Sequence, residues 1–164
     1  KPCAGGSSIG VYIVDTEERK DSVWKARGAF LEAIKSSTIE MDECDVVVPR
    51  SEISDFIKFT YELQEKYKVR IPSFGHAGDG NLHIYICRDN YSKEEFNIIL
   101  EKVFDEMYQR ANLVGGLVSG EHGIGFAKKE FMRKQLGDSQ VRLMNGIKRV
   151  FDPNNILNPG KICQ

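Results

Sequence analysis

No stretch of this 164-residue chain approaches the roughly 18 consecutive apolar residues that a membrane-crossing helix requires, and its first residues lack the apolar core of a secretory leader. A soluble, intracellular, cytoplasmic chain is the expectation. Charge of either sign is not in excess: 23 basic and 24 acidic side chains leave a formal charge of -1, and no segment collects a run of like charge. Such balance argues against nucleic acid or an anionic membrane as partner, and leaves small molecules and protein. Cysteine is sparse. Cys3, Cys44, Cys87 and Cys163 lie far apart with no C-x-x-C pair, which argues against an iron-sulfur cluster or a thiolate zinc site. They read as reduced thiols, with Cys3 and Cys163 exposed near the ends. Internal repeats, low-complexity tracts and linkers are missing too, and no G-x-G-x-x-G stands between a strand and a helix to bind a dinucleotide.

What is present suffices for one globular core, with 41% of residues hydrophobic. The chain opens on Lys1-Pro2-Cys3-Ala4-Gly5-Gly6 without an initiator methionine, which suggests a piece of something longer or a processed chain. A strand is expected over 9–14, then a helix capped by Asp15 or Thr16 and running to about 34. A strand over 45–48 and a helix over 51–67 follow, then an extended piece over 70–74 and a strand over 82–87. Ser92-Lys93-Glu94-Glu95 has the form of a capping box, and Phe96, Ile99, Leu100, Val103, Phe104 and Met107 repeat behind it at helical spacing. Helices over about 126–136 and 139–151 precede the stop at Asp152-Pro153. Few, short strands among helices give an α+β fold, one small sheet with helices packed on a face.

All three histidines fall in two glycine-rich motifs, Gly75-His76-Ala77-Gly78-Asp79-Gly80-Asn81-Leu82-His83 and Ser119-Gly120-Glu121-His122-Gly123. The interval from His76 to His83 is not the i, i+4 spacing of a helical metal site. The glycines impose a loop entering a strand, which can fold His76 back beside His83, with Asp79 and Asn81 bracing the turn. Period 2 along the strand sets His83, Tyr85 and Cys87 on one face and Leu82, Ile84 and Ile86 on the other. The aliphatic set is the core side, so His83 and Tyr85 are expected to face a site or solvent. Glu121 can add a third ligand, giving two imidazoles and one carboxylate with coordination positions left open for substrate. The alternative is that the histidines bond to backbone and that Glu121 is a helix-start carboxylate.

Arg27 follows Trp24 by three residues and precedes Leu31 by four, which places it on the apolar side of the first helix. It reads either as a bidentate clamp for an anionic substrate or as a structural ion pair.

Trp24-Lys25-Ala26-Arg27, Asp45-Val46-Val47-Val48-Pro49, the two histidine motifs and Phe151-Asp152-Pro153-Asn154-Asn155-Ile156-Leu157-Asn158-Pro159-Gly160-Lys161 occur in the order seen in FAD-linked oxidases. The chain resembles the C-terminal domain of the vanillyl-alcohol oxidase superfamily, in the branch of D-lactate dehydrogenase, the glycolate oxidase flavoprotein subunit and D-2-hydroxyglutarate dehydrogenase. The resemblance runs from about residue 10 to the end. It implies a ferredoxin-like substrate (cap) domain over 1–164 that lacks its first strand and helix and has no FAD-binding domain of its own. It implies a divalent metal on His76, His83 and Glu121, zinc first and iron or manganese next, with His122 as general acid/base. Arg27 aligns with the family's substrate-carboxylate arginine, and Tyr85 joins it at the substrate. Asn158 and Lys161 would return to the flavin domain near the isoalloxazine, unless the tail is an ordinary Pro-rich terminus. Where hydroxyglutarate-type relatives carry a lysine this chain has Glu43, and where they often carry a side-chain amide it has Tyr85; both differences argue against a dicarboxylate.

The expected function is oxidation of a small hydroxy acid, D-lactate or glycolate, to the 2-oxo acid by hydride transfer to FAD. The implied partners are the hydroxy acid, the FAD-binding domain and an electron-transfer protein. Two rivals remain. A flavin-independent metalloenzyme such as a hydrolase predicts turnover without flavin; a non-catalytic docking subunit predicts a stable complex with little loss when His122 is replaced.

Overall fold

The computed structural model describes residues 13–163, in two compact units that divide between Ser37 and Thr38. In the first, the Thr16 side chain accepts from the N–H of Arg19 at 3.3 Å and starts α1 (Glu17–Gly28), whose first turn carries Glu17 and Glu18. The single helix expected to reach 34 is broken. After Gly28, a poor helix former, the N–H of Ala29 bonds back to the Lys25 and Ala26 carbonyls, and the chain resumes as α2 (Phe30–Ser36). Neither helix has a buried residue, so the apolar side expected of α1 is not formed: Val23 and Trp24 alone interrupt a charged run, too few for a stripe. Cys3 and most of the strand expected over 9–14 lie outside the described residues, and Ile13 and Val14 are not in a strand.

The second unit is built on an antiparallel sheet of β1 (Glu40–Val47), β2 (Ser73–His76) and β3 (Asn81–Arg88), ordered β1-β3-β2. β1 begins five positions before the expected 45. Its polar start joins the sheet because Glu40 is paired with Arg88, and their side chains form an ion pair at 2.8 Å. Directly paired residues share a face, so Cys44 with Ile84 and Val46 with Leu82, extended by Ile86, make one apolar surface. α3 (Ile53–Tyr67), entered through a 3-10 turn at Arg50–Glu52, and α4 (Lys93–Leu113) complete the core over that surface with Phe56, Leu63, Phe96, Val103, Met107 and Ala111. Burying each large side chain contributes about 1.5–3 kcal/mol. Burial also pushes the Cys44 thiol up to about 12, which leaves it inert. The expected capping box is complete: Ser92 Oγ accepts from the Glu95 N–H at 3.2 Å and Glu95 Oε2 from the Ser92 N–H at 3.0 Å.

The α+β class, with a small antiparallel sheet and helices on one face, is therefore the observed one. α5 (Lys129–Leu136) starts three residues later than expected, and α6 (Asp138–Phe151) ends before Asp152-Pro153 as expected. The Asp152 carboxylate then accepts from the N–H groups of Ile156 and Leu157 at 2.9 and 3.0 Å, and the N–H of Ile162 from the tail reaches the Gly125 carbonyl at 2.7 Å. This folding back corrects one expectation: Cys163 is buried within the hydrophobic core rather than exposed. Among the described residues no helix is long and apolar enough to cross a membrane.

Candidate metal and substrate site

The second face of the sheet carries the polar residues. Register places Glu43 opposite Tyr85, Asp45 opposite His83, Phe74 opposite His83 from the other side, and His76 opposite Asn81. The seven-residue interval is thus a hairpin: His76 ends β2, the N–H of Asp79 bonds the His76 carbonyl at 3.0 Å, and β3 returns His83 to a diagonal position on the same face. Gly80 makes the turn possible. Its φ is +74° and a Cβ there would meet the Val48 carbonyl oxygen at 2.0 Å.

Of the two expectations for this face, a site or solvent, it is the first that the structure favours. His83, Tyr85 and Cys87 are all buried, because β2 covers β3: the Phe74 ring stacks on Tyr85 at 5.5 Å and lies 5.6 Å from His83. The Tyr85 side chain lies beside Glu43, its cross-strand partner, and burial, followed by that carboxylate's charge, pushes its pKa well above the ordinary phenol range. Tyr85 is therefore a neutral phenol.

Over the other end lies the second motif, and Asp45 is its anchor. Fully buried, its carboxylate accepts from Ser119 Oγ at 2.9 Å, from the backbone N–H groups of Gly120, Glu121 and His122 at 3.1, 3.3 and 3.0 Å, and from Lys128 Nζ at 3.2 Å. Burial would raise its pKa. The His122 N–H, the Lys128 charge and the Ser119 hydroxyl outweigh that and hold it at about 2. Gly120 permits the approach, since a Cβ there would meet Asn81 Oδ1 at 2.0 Å. Asn81 does not brace the turn through that oxygen, which is buried with no hydrogen-bond partner.

With both motifs in place, Glu121 Oε1 stands 2.8 Å from His83 Nε2 and 4.0 Å from His76 Nε2, and the two rings meet edge to face at 6.0 Å. Potential ligand atoms of His76, His83 and Glu121 lie within 4.8 Å of one another. On its other nitrogen, His83 Nδ1 is 2.9 Å from Glu43 Oε1. A neutral imidazole has one N–H. If Nδ1–H is donated to Glu43, the Nε2 lone pair faces the Glu121 carboxylate, an encounter that a cation between them resolves, and a histidine donating to a carboxylate behind it is a common arrangement of metal ligands. The donor set therefore fits a divalent ion. His122 stacks on His83 at 5.0 Å, with its Nδ1 3.3 Å from the same Glu43 oxygen. His83 forms the buried floor, while His76, Glu121 and His122 are about half exposed at the rim.

Of the residues expected at the site, the structure brings together His76, His83, Glu121, His122 and Tyr85. Arg27 lies in the last turn of α1, partly buried, in the first unit. Asn158 and Lys161 instead line an apolar groove of about 450 Å³ beside α6, with Met144, Ile147, Phe151 and Leu157. Glu43 and Asp45 as partners of the histidines were not foreseen. Their signal was the register: two acids spaced by two on β1, Glu43 and Asp45, opposite Tyr85 and His83.

Residues 2–162 match the model of the family described as FAD linked oxidases, C-terminal domain. The chain is 49% identical over 156 residues to a D-lactate dehydrogenase of Anaerostipes hadrus, an alignment covering 95% of this chain and 33% of that protein. It is 38% identical over 163 residues to the glycolate oxidase subunit GlcD of Bacillus subtilis, covering 98% and 34%. With a D-2-hydroxyglutarate dehydrogenase of Stutzerimonas stutzeri it shares 33% identity over 150 residues, covering 90% and 32%. The chain thus spans about a third of the length of these curated relatives. Motif order, fold and a match over nearly its whole length agree: the chain belongs to the FAD-linked oxidase C-terminal domain family.

Proposed function

We propose that this chain is the substrate-side domain of an FAD-dependent 2-hydroxy-acid dehydrogenase acting on a small monocarboxylate, D-lactate or glycolate, and that it works against an FAD-binding domain. The observation that carries the proposal is the convergence of His76, His83 and Glu121 beside a third imidazole at an open rim. Oxidation removes a hydride from Cα and a proton from the hydroxyl, leaving the 2-oxo acid. When bound, a divalent ion, zinc first and iron or manganese next, supplies charge to hold the substrate's carboxylate and hydroxyl and to make that hydroxyl more acidic, and FAD accepts the hydride.

The chain's own groups do the rest. His122 stands at the rim beside the ligand set without belonging to it and accepts the hydroxyl proton at Nε2. Arg27 clamps the substrate carboxylate with its planar fork. Glu43 adds negative charge beside His83 and His122, which disfavours a second carboxylate on the substrate and supports lactate or glycolate over a dicarboxylate. Tyr85, across the sheet from Glu43, bounds the substrate space from below. Asn158 and Lys161, on the tail, meet the flavin side.

The test is metal analysis of the flavin-loaded enzyme reconstituted with each ion, alongside His76→Ala, together with anaerobic bleaching of the flavin by D-lactate, glycolate and D-2-hydroxyglutarate. One ion per parent chain, a loss of it in the variant, and faster bleaching by a monocarboxylate are expected. Equal metal in both proteins removes the site, and turnover without flavin removes the dehydrogenase reading.

A further inference from the structure

Glu43 is the meeting point of the site. Its Oε1 lies 2.9 Å from His83 Nδ1 and 3.3 Å from His122 Nδ1, and the two rings stack at 5.0 Å with planes 28° apart. The sheet holds it there. Glu43 is two positions before Asp45 on β1, and Asp45 is the direct partner of His83, so Glu43 is diagonal to that ring, with Tyr85 as its own cross-strand partner. His122 is held by the same strand, because its backbone N–H bonds Asp45 at 3.0 Å. His83 Nδ1 is hydrogen-bonded to that oxygen and His122 Nδ1 stands at ion-pair distance from it, so both imidazoles turn the same ring nitrogen toward one carboxylate oxygen.

That shared geometry has a chemical result. An imidazole that gives its Nδ1–H to a carboxylate keeps the lone pair on Nε2, with its ring orientation fixed. On His83, Nε2 is the atom 2.8 Å from Glu121, where a ligand lone pair is needed. On His122, Nε2 is the atom left to accept a proton. We propose that Glu43 is a positioning residue that sets both imidazoles in the Nδ1–H form, one for coordination and one for proton acceptance, so that a single carboxylate couples cation binding to the base. The inference rests on the reading given under Proposed function and adds a role for a residue that is neither ligand nor base there.

Two measurements on the flavin-loaded enzyme test it. First, manganese(II) binding to metal-stripped protein is followed by electron paramagnetic resonance for the parent, Glu43→Gln and Glu43→Ala. The expected result is one ion per chain, bound about 10- to 100-fold more weakly by Glu43→Ala and by a smaller factor by Glu43→Gln, which keeps the shape and an acceptor oxygen. Second, at saturating manganese, flavin reduction is timed for Glu43→Gln, His122→Asn and the double variant. Glu43→Gln should slow reduction in the parent and add nothing once His122 is Asn, whereas a general structural defect would slow both backgrounds alike. Affinities within about twofold of the parent, additive rate losses, or two ions per chain, which would make Glu43 a ligand, each overturn the inference. If Glu43→Ala does not fold, Glu43→Gln decides the binding comparison by the same limit. A parent that takes up no ion removes the underlying site and the inference with it; a parent that binds while Glu43→Ala binds equally removes the inference alone.

Discussion

Asp45 has no contact with solvent, yet it stays ionised to about pH 2, because the His122 N–H, Lys128 and Ser119 offset the cost of burial. Its folded pKa is below the ordinary carboxylate value, so this stabilisation is fully present above that value and is lost as pH falls through about 2. The shift corresponds to about 2 kcal/mol. Urea unfolding from pH 5 down to pH 2 should show the parent losing that amount while Asp45→Asn, already about 2–4 kcal/mol less stable at neutral pH, loses less over the same range. Identical acid slopes would mean that the carboxylate does not hold the loop. Arg27 gives a second residue-scale prediction. Arg27→Lys should lower kcat/KM for the hydroxy acid by about 10- to 100-fold, with FAD content unchanged, since a point charge cannot reproduce a two-bond fork. An unaltered kcat/KM would leave Arg27 a surface residue of α1. The grouping of the histidines was legible because glycines marked their turns. Glu43 and Asp45 were not, because a buried acid in a strand looks like a polar interruption until the register shows what lies across from it.

Among the elements, the hairpin β2-turn-β3 decides whether the site exists. Gly80→Ala places a methyl against the Val48 carbonyl at a positive φ, and should cost about 2 kcal/mol or more of stability and weaken cation binding by displacing His76. Denaturant unfolding with a parallel metal titration checks both; full stability in the variant would mean that the turn relaxes freely. The start of α4 was readable from its capping box, and its course from the helical spacing behind it. β1 was read short because Glu40, Asp42 and Glu43 mask its start, where cross-strand pairing to Arg88 and Tyr85 replaces alternation. α1 ends at Gly28, short of the expected 34, because a glycine inside a helix weakens it and the sequence offers no other stop there. Alternation along β3 left its second face open between a site and solvent, because the cover that decides it comes from Phe74, on a neighbouring strand, which no pattern along β3 itself encodes.

At the scale of the molecule, a sheet buries its aliphatic side under α3 and α4 and spends its other side on Glu43, Asp45, His76 and His83, with a loop drawn across them. The proposed chemistry places the proton on His122 and leaves His76, His83 and Glu121 to the ion. The most direct measurement is stopped-flow, single-turnover reduction of the bound flavin by D-lactate or glycolate in the parent enzyme and in His122→Asn, both shown to carry FAD and one metal ion per chain. A positioned general base contributes about two to four orders of magnitude, so the variant should reduce its flavin slower by that factor with both cofactors retained. Reduction at the parental rate would contradict the assignment and move the proton to another group.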